Sequence, residues 1–273
     1  MQRHRDAFLN LIGTRPLLMG ILNLTPDSFS DGGKFNGREA AMAQACRLMA
    51  EGADIVDVGA ESTRPGATPV PEAEELRRIE PVLGAVAEAI DAPISIDTCK
   101  AAVARRAMAL GACIINDVWG LQKDPAMAAT VAETGAGVVI MHNCASVDPA
   151  MDILADMRRF FDRSLELAAR EGIPKGHIML DPGIGFGKSQ LQNLQALQGL
   201  PAFADYGLPM LVGVSRKSLL GAVLNSAVDQ RLIGTLAANL AARARGGEIF
   251  RVHDVAEHVA AFKVFEAVSH ARI

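Results

Sequence analysis

The stretch LLMGILNLTPDSFSDGG, residues 17–33, decides the fold of this 273-residue chain. Residues 17–22 form an unbroken apolar run, which is typical of a strand buried on both faces. Asn23 follows directly, and the sequence then changes to Thr, Pro, Asp, Ser and Gly, which indicates a long loop. A polar side chain at the carboxyl end of a buried parallel strand stands where α/β proteins bind ligands, although an Asn that caps a turn fits the same spacing. The stretch therefore predicts a strand–loop unit whose end is a candidate site.

The same unit recurs along the chain, because apolar runs of strand length alternate with Ala-rich amphipathic segments. The predicted strands are residues 17–22, 54–58, 93–96, 113–115, 137–141, 177–180, 209–214 and 248–252. The predicted helices are residues 38–51, 71–91, 100–111, 123–135, 149–172, 190–206, 229–246 and 254–270. Eight such units predict a (β/α)8 barrel, although a doubly wound sheet is the alternative. No linker divides the chain, so we expect one domain over residues 1–273, with its core at about 17–265 and a short N-terminal arm or strand before it.

Composition excludes several classes of protein. The net charge of −4 gives no electrostatic case for nucleic acid, so an anion would need local cations. No apolar run is long enough to cross a membrane, and residues 1–16 lack the apolar region of a signal peptide. The four cysteines form no CxxC pair, which favours a reduced, cytoplasmic setting.

Polar residues stand at the end of every predicted strand. In chain order they are Asn23, then Asp57 with Glu61, Asp97, Asn116 with Asp117, His142 with Asn143, Asp181, Ser215 with Arg216 and Lys217, and Arg251 with His253. Any one of them could be a turn or N-cap residue. In a barrel, however, all of them would meet at one end, which predicts a single binding site there.

The residue types in this ring predict its ligands. Carboxylates such as Asp97 and Asp181 only accept hydrogen bonds, whereas Asn116 both donates and accepts, so together they suit a flat heterocycle with an amino-amide edge. Arg251 and His253 suit an anion, most simply a phosphate. Next to that anion, the Asn23 oxygen would suit Mg²⁺. The scattered His and Cys residues predict no zinc site at any strand end.

Other motifs are weaker. The segment GIGFGKS, residues 183–189, has too few residues between its outer glycines for a nucleotide P-loop, and it fits a loop that closes on a ligand. Cys99 has no base beside it in sequence, so we interpret it as a small core or cap residue, not a nucleophile. His258 is predicted to be a surface or packing histidine.

Seven motifs in one order then give a resemblance. They are GILNLTPDSFSDGG, DVGAESTRPGA, SIDTCK, INDVWG, LDPGIGFGK, VGVSRKSLLG and RVHDV. Together they make residues 17–265 resemble the dihydropteroate synthases of the bacterial folate pathway. Members of that family are (β/α)8 barrels that join 6-hydroxymethyl-7,8-dihydropterin diphosphate to p-aminobenzoate and release diphosphate and 7,8-dihydropteroate.

The resemblance implies a role for each matching residue. The implied pterin site is Asp57, Asp97, Asn116, Met141, Asp181, Gly213, Lys217 and Arg251, where Asp57 could instead support the other residues. The implied diphosphate site is Asn23, Thr63, Arg251 and His253, with Asn23 also as the residue linked to Mg²⁺. The implied p-aminobenzoate site is Phe29, Thr63, Arg64, Pro65, Phe186, Ser215 and Lys217, on and near mobile loops at residues 25–33 and 61–66. The catalytic set implied is Asn23, Asp97, Asp181, Lys217, Arg251 and His253.

The resemblance also implies a mechanism and an assembly. Diphosphate would leave first, the pterin ring would stabilise the resulting cation, and no covalent enzyme intermediate would form. A cytoplasmic homodimer that sulfonamides inhibit is expected. Two other hypotheses stay open at this point, namely a methyltetrahydrofolate-binding methyltransferase and a non-catalytic pterin-binding paralogue. Residues 141–146, MHNCAS, depart from the Met-Gln-Gly type of sequence in many relatives, which leaves the role of that loop undefined.

Overall fold

The chain folds into a closed barrel of eight parallel strands, β1 to β8, in which each strand pairs with its neighbour in sequence and β8 pairs with β1. The description rests on a computed structural model and covers residues 2–24, 34–61 and 70–271, without the side chains of residues 34–36. Helices alternate with the strands around the outside. The (β/α)8 prediction is therefore confirmed, and the doubly wound alternative is wrong.

The strands lie within one or two residues of their predicted bounds. They are β1 (Leu17–Asn23), β2 (Ile55–Gly59), β3 (Ile94–Asp97), β4 (Ile114–Asp117), β5 (Gly137–Met141), β6 (Ile178–Asp181), β7 (Met210–Val212) and β8 (Gly247–Val252). The α-helices are α1 (Gln2–Leu11), α2 (Lys34–Ala50), α3 (Glu72–Ala89), α4 (Ala101–Ala109), α5 (Met127–Thr134), α6 (Ile153–Arg170), α7 (Gln190–Gln198), α8 (Ser218–Leu224), α9 (Leu232–Arg243) and α10 (Val255–Ser269).

Alternate residues of each strand serve two different cores. On β1, Leu18 and Leu22 pack in the layer between the strands and the helices, whereas Leu17 and Met19 pack inside the barrel. This follows from the pleat, because successive side chains of a strand point to opposite faces. The same alternation decides which strand-end residues can reach the interior of the barrel.

The N-terminal segment is a helix, not the predicted arm or strand. Phe8 of α1 is fully buried and packs with Leu17, Ile55 and Ile249, so α1 closes the end of the barrel at which the strands begin. Arg5 donates a hydrogen bond to the carbonyl oxygen of Gly135 and fixes the helix there. The sequence of residues 2–11 gives little sign of this position, because Phe8 is the one fully buried side chain of a helix that also carries three charged residues and a histidine.

Two helical predictions also differ in detail. The predicted helix 190–206 divides at Gly199 into α7 and a 3₁₀ helix, Leu200–Tyr206, because Pro201 cannot continue the hydrogen bonds of an α-helix. The loop after β7 holds α8, which sequence analysis did not predict. No helix in the described ranges is both long and apolar enough to cross a bilayer.

Candidate active site

Polar strand-end residues come together at the end of the barrel opposite α1. In the register of the sheet, Asn23 lies beside Gly59, Gly59 beside Asp97, and Asp97 beside Asn116. Met141 lies beside Asp181 on the next pair of strands. These strand ends therefore meet at one end of the barrel, as the sequence predicted.

A network of charged hydrogen bonds forms the floor of this site. Arg251 reaches from β8 to two carboxylates, with Nε 2.6 Å from Asp57 Oδ2 and one terminal nitrogen 2.9 Å from Asp97 Oδ2. Asn116 Nδ2 lies 3.4 Å from the same Asp57 oxygen. Burial lowers the pKa of Arg251, but the charges of Asp57 and Asp97 outweigh it and raise that pKa above the usual value. Burial raises the pKa of Asp97.

Three oxygen atoms of this network have no hydrogen-bond partner among the described residues, although all are buried. They are Oδ1 of Asp57, Oδ1 of Asp97 and Oδ1 of Asn116. A buried acceptor without a donor costs roughly 1–3 kcal/mol. These atoms therefore form an acceptor surface suited to a ligand with several N–H donors.

Asp181 and Lys217 stand on the other side of the site, around Gly213. A Cβ at Gly213 would lie 3.8 Å from Lys217 Nζ, 3.9 Å from Arg251 Cβ and 4.0 Å from Asp181 Oδ2, so a side chain there would fill the space between them. Burial raises the pKa of Asp181. Burial lowers the pKa of Lys217 to about 8, although the Asp181 carboxylate opposes the shift. Nζ of Lys217 donates to the carbonyl oxygen of Ile184.

A hydroxyl and an imidazole adjoin this group. Ser215 Oγ lies 2.9 Å from His253 Nδ1 and accepts a hydrogen bond from the backbone nitrogen of His253 at 3.2 Å. The end of β7 and the end of β8 are thereby joined. Ser215 and His253 therefore place hydrogen-bond donors, neutral or cationic, next to Arg251, and such donors favour the binding of an anion.

An apolar wall completes the described part of the site. Met141, Cys99 and Val118 are buried together, with Trp119 and Phe186 packed against them. Nζ of Lys217 lies 4.6 Å from the centroid of the Phe186 ring, a cation–π contact. Cys99 is thus a core residue, as expected, and burial raises the pKa of its thiol.

The glycine-rich loop after β6 is not a phosphate-binding P-loop. Lys188 turns back into it, with Nζ 2.8 Å from the oxygen of Gly183 and 3.2 Å from that of Phe186. Gly183 has a φ of 64°, and a Cβ there would lie 1.8 Å from the oxygen of His142. Gly187 has a φ of 59°, and a Cβ there would lie 2.1 Å from the oxygen of Cys144. Both glycines are therefore required by close packing against the loop that follows β5.

Some strand-end residues do not enter the site. Asp117 accepts hydrogen bonds from the backbone nitrogens of Trp119 and Leu121 at 2.9 and 2.7 Å, so it caps a turn. Arg216 is exposed and pairs with Asp254. Asn23, in contrast, lies at the rim of the site, where it is half-buried. Four predicted p-aminobenzoate residues lie outside the described residues, namely Phe29, Thr63, Arg64 and Pro65, as do the loops at 25–33 and 62–66.

Sequence analysis missed a buried ion network that adjoins one of those loops. Lys100 pairs with Glu61, and its Nζ lies 2.5 Å from Glu75 Oε2. Glu61 also accepts a hydrogen bond from the backbone nitrogen of Val70 at 2.9 Å. Glu75 is completely buried, and burial raises its pKa. The sequence could not reveal this network, because Glu75 is one of three glutamates in the first turn of α3 and nothing in the sequence distinguishes it from an exposed residue.

Sequence analysis also missed one group of potential metal ligands. His142, Cys144 and Asp156 present ligand atoms within 4.8 Å of one another. Asp156 comes from α6, so spacing along the sequence could not reveal the group. His258, by contrast, is a buried packing histidine 2.9 Å from Asn239 Nδ2, as one of the two expectations had it.

Comparison with known proteins agrees with this geometry. Residues 19–253 match the model of the family described as pterin binding enzyme. A dihydropteroate synthase of Clostridium beijerinckii is 43% identical over 258 residues, which cover 94% of this chain and 96% of the relative. The chain belongs to the dihydropteroate synthase family.

Two solved dihydropteroate synthases have the same fold. The Clostridium difficile enzyme, crystallised in the presence of pteroic acid, is 46% identical and superposes with a TM-score of 0.92 over 95% of this chain and 99% of its own. The Xanthomonas albilineans enzyme with 4-aminobenzoic acid is 45% identical, with a TM-score of 0.90 over 94% of each chain. Of the three functional hypotheses, dihydropteroate synthase is the one that these relatives support, and the chain is a transferase of this family.

Proposed function

We propose that this dihydropteroate synthase uses the barrel mouth to condense 6-hydroxymethyl-7,8-dihydropterin diphosphate with p-aminobenzoate. The observation that carries the proposal is the set of three buried, unpartnered oxygens on Asp57, Asp97 and Asn116, with Arg251 and Lys217 beside them. A pterin ring has the amino and amide N–H groups that these oxygens lack. The pteroic acid and 4-aminobenzoic acid present in the two solved relatives are one product-like and one substrate-like molecule of this reaction.

The pterin would lie against the acidic floor. Asp97, Asp181 and the amide oxygen of Asn116 would accept hydrogen bonds from ring N–H groups, whereas Lys217 would donate to a ring oxygen or nitrogen atom. Met141 and Gly213 would bound the ring, since Met141 is buried in the apolar wall and Gly213 leaves space between Lys217 and Arg251.

The diphosphate would lie at the rim. Arg251 has five N–H donors and uses two of them on Asp57 and Asp97, so others can reach an anion. His253 and Thr63 would add donors. Asn23 offers a half-buried amide oxygen at the end of β1, a hard donor that fits Mg²⁺ shared with phosphate and water. Bound there, Mg²⁺ would neutralise charge that develops on the diphosphate.

The carboxylates give the site its chemistry. As the C–O bond to diphosphate breaks, positive charge spreads over the pterin ring, and Asp97 and Asp181 stabilise it from fixed positions in a desolvated pocket. The amine of p-aminobenzoate then attacks the same carbon and loses a proton. Cys99, the thiol nearest to Asp97 in sequence, is buried with a raised pKa, which supports a route without a covalent enzyme intermediate.

The arylamine would bind nearest to the loops. Lys217, Ser215 and Phe186 line the approach to the pterin, where Phe186 contacts the ammonium of Lys217. Phe29, Thr63, Arg64 and Pro65 would complete this subsite. Closure over it would exclude water, which otherwise competes with the amine.

One assay separates the three functional hypotheses. Purified protein is mixed with the pterin diphosphate, p-aminobenzoate and Mg²⁺, and diphosphate and dihydropteroate are quantified. Equal amounts of both products are expected. Pterin binding without product at any Mg²⁺ concentration would indicate a non-catalytic paralogue, and methyl transfer from methyltetrahydrofolate without diphosphate release would indicate the methyltransferase.

We also infer that the protein is a cytoplasmic homodimer. Neighbouring elements carry exposed apolar side chains, among them Ile233 on α9 and Val264 and Val268 on α10, exposed by 78%, 65% and 72%. A second copy would cover them. Light scattering should give a dimer for the parent protein and a monomer for Ile233→Glu, whereas Leu191→Glu on α7 should stay dimeric.

A further inference from the structure

Three potential metal ligands of different chemistry meet on the outer side of β5. His142 directly follows β5, Cys144 lies two residues later, and Asp156 is in the first turn of α6. Nε2 of His142 is 3.1 Å from Asp156 Oδ2 and 3.7 Å from Cys144 Sγ. The remaining side of the triangle, from Cys144 Sγ to Asp156 Oδ2, is 3.6 Å.

These separations match one face of a tetrahedral zinc site. With bonds of about 2.3 Å to sulfur and about 2.0–2.1 Å to nitrogen or oxygen, tetrahedral angles place sulfur roughly 3.6 Å from each other ligand and nitrogen roughly 3.3 Å from oxygen. The observed distances of 3.7, 3.6 and 3.1 Å therefore need shifts of only a few tenths of an ångström. Without an ion, the same three atoms form hydrogen bonds with one another, and a bound metal ion would replace these hydrogen bonds.

The group is separate from the pterin pocket. Met141 points into the barrel and packs in the apolar wall, so the next residue, His142, points to the outer face. There the imidazole is fully buried against Phe160 and Phe161, with ring centroids 5.0 and 6.3 Å away. Cys144 is half-buried, and the Asp156 side chain is 26% exposed, so solvent reaches these two residues.

The surrounding charges leave the ligand atoms available. Arg159 pairs with Asp156 Oδ1, which orients the carboxylate and leaves Oδ2 towards His142 and Cys144. The ammonium of Lys188 lies close by, but its Nζ is 2.8 Å from the oxygen of Gly183 and 3.4 Å from that of His142, so backbone carbonyls compensate its charge. One thiolate and one carboxylate would neutralise a divalent ion.

We propose that His142, Cys144 and Asp156 form a site for a zinc-like divalent transition metal ion, with solvent as the fourth ligand. A sulfur, nitrogen and oxygen set selects Zn²⁺ or Co²⁺ over Mg²⁺, which requires oxygen ligands. On binding, the thiol of Cys144 releases its proton to solvent and the Sγ–metal bond forms. The neutral imidazole binds through Nε2 and carries its proton on Nδ1, an atom that is buried without a hydrogen-bond partner among the described residues. No electron transfer is involved.

The role of this ion is structural. It joins the end of β5 to the start of α6, and the loop that carries Cys144 packs so tightly on Gly187 that a Cβ there would lie 2.1 Å from the oxygen of Cys144. Binding therefore stabilises the loop that holds Phe186 at the site. The inference does not rest on the proposed reaction, because the ligands lie outside the pocket.

Cobalt chloride is the probe for the test, because Co²⁺ bound by a thiolate in tetrahedral geometry gives a near-ultraviolet charge-transfer band and strong visible bands. Chelator-treated, reduced protein is titrated with Co²⁺, and then with Zn²⁺ as a competitor. The parent protein should show both bands at one equivalent and lose them on addition of Zn²⁺. Mg²⁺ in excess should leave them unchanged.

Matched variants assign the ligands. Cys144→Ser should abolish the charge-transfer band, Asp156→Asn should weaken Co²⁺ binding at least tenfold, and Cys46→Ser, a change at an exposed thiol, should have no effect. Zn²⁺ should raise the melting temperature of the parent and of Cys46→Ser but not of Cys144→Ser. Absence of the band in the parent, or its survival in Cys144→Ser, would overturn the proposal.

Discussion

The substitution Asp97→Asn is the sharpest test of the pterin site, because it removes one charge with almost no change of shape. In the structure, Asp97 Oδ2 accepts a hydrogen bond from Arg251 at 2.9 Å and Oδ1 is buried without a partner among the described residues. A hydrogen bond to a charged acceptor contributes about 1.5–3 kcal/mol. At 1.4 kcal/mol per factor of ten, the Kd for the pterin diphosphate should rise by roughly 10- to 150-fold.

Isothermal titration calorimetry measures that Kd directly, with thermal unfolding to verify the fold. Asp54→Asn is the matched control, since Asp54 is also a nearly buried carboxylate paired with an arginine, Arg15, but lies at the opposite end of the barrel. It should lower stability and leave the pterin Kd within about twofold of the parent. If Asp97→Asn binds the pterin as tightly as the parent does, the acceptor role given to Asp97 is wrong.

Other predictions test separate parts of the molecule. Because burial lowers the pKa of Lys217 to about 8, its charge is lost as pH rises through 8, so kcat/KM should fall above that pH in the parent, whereas the residual activity of Lys217→Met should not follow this decline. Phe8→Ala should lower the free energy of unfolding in urea by about 3–5 kcal/mol, whereas Leu11→Ala, at a residue 38% exposed, should change it little. Arg64→Ala should raise KM for p-aminobenzoate and spare pterin binding, and an unchanged KM would remove that assignment. A sulfonamide should compete with p-aminobenzoate and not with the pterin; competition with the pterin alone would contradict the proposed subsite.

The barrel could be predicted from sequence because each strand is a local signal. A run such as residues 17–22 is apolar on both faces, and the Asn or Asp that follows it marks the edge of the sheet. The convergence of Asn23, Asp97 and Asn116 then follows from topology alone, since parallel strands end at the same side of a barrel. No contact between side chains had to be known.

What sequence analysis could not decide depends on direction and on distant packing. Asp117 is the last residue of β4 and His142 directly follows β5, but the pleat turns both away from the interior that Asn116 and Met141 face. The sequence did hold a signal for this direction, since side chains alternate between the two faces of a strand and can be counted from its apolar residues. The position of α1 had no such signal, because one buried Phe8 among charged residues decides it through contacts far along the chain.

The close packing of the loops after β5 and β6 has an evolutionary consequence. Gly183 and Gly187 approach the backbone oxygens of His142 and Cys144 so closely that neither glycine can gain a side chain while the loop after β5 keeps its path. Natural variation in residues 142–146 should therefore be correlated with variation in residues 183–187. Transplanting only one of the two segments between homologues should yield poorly folded chimaeras, whereas exchanging both together should preserve folding.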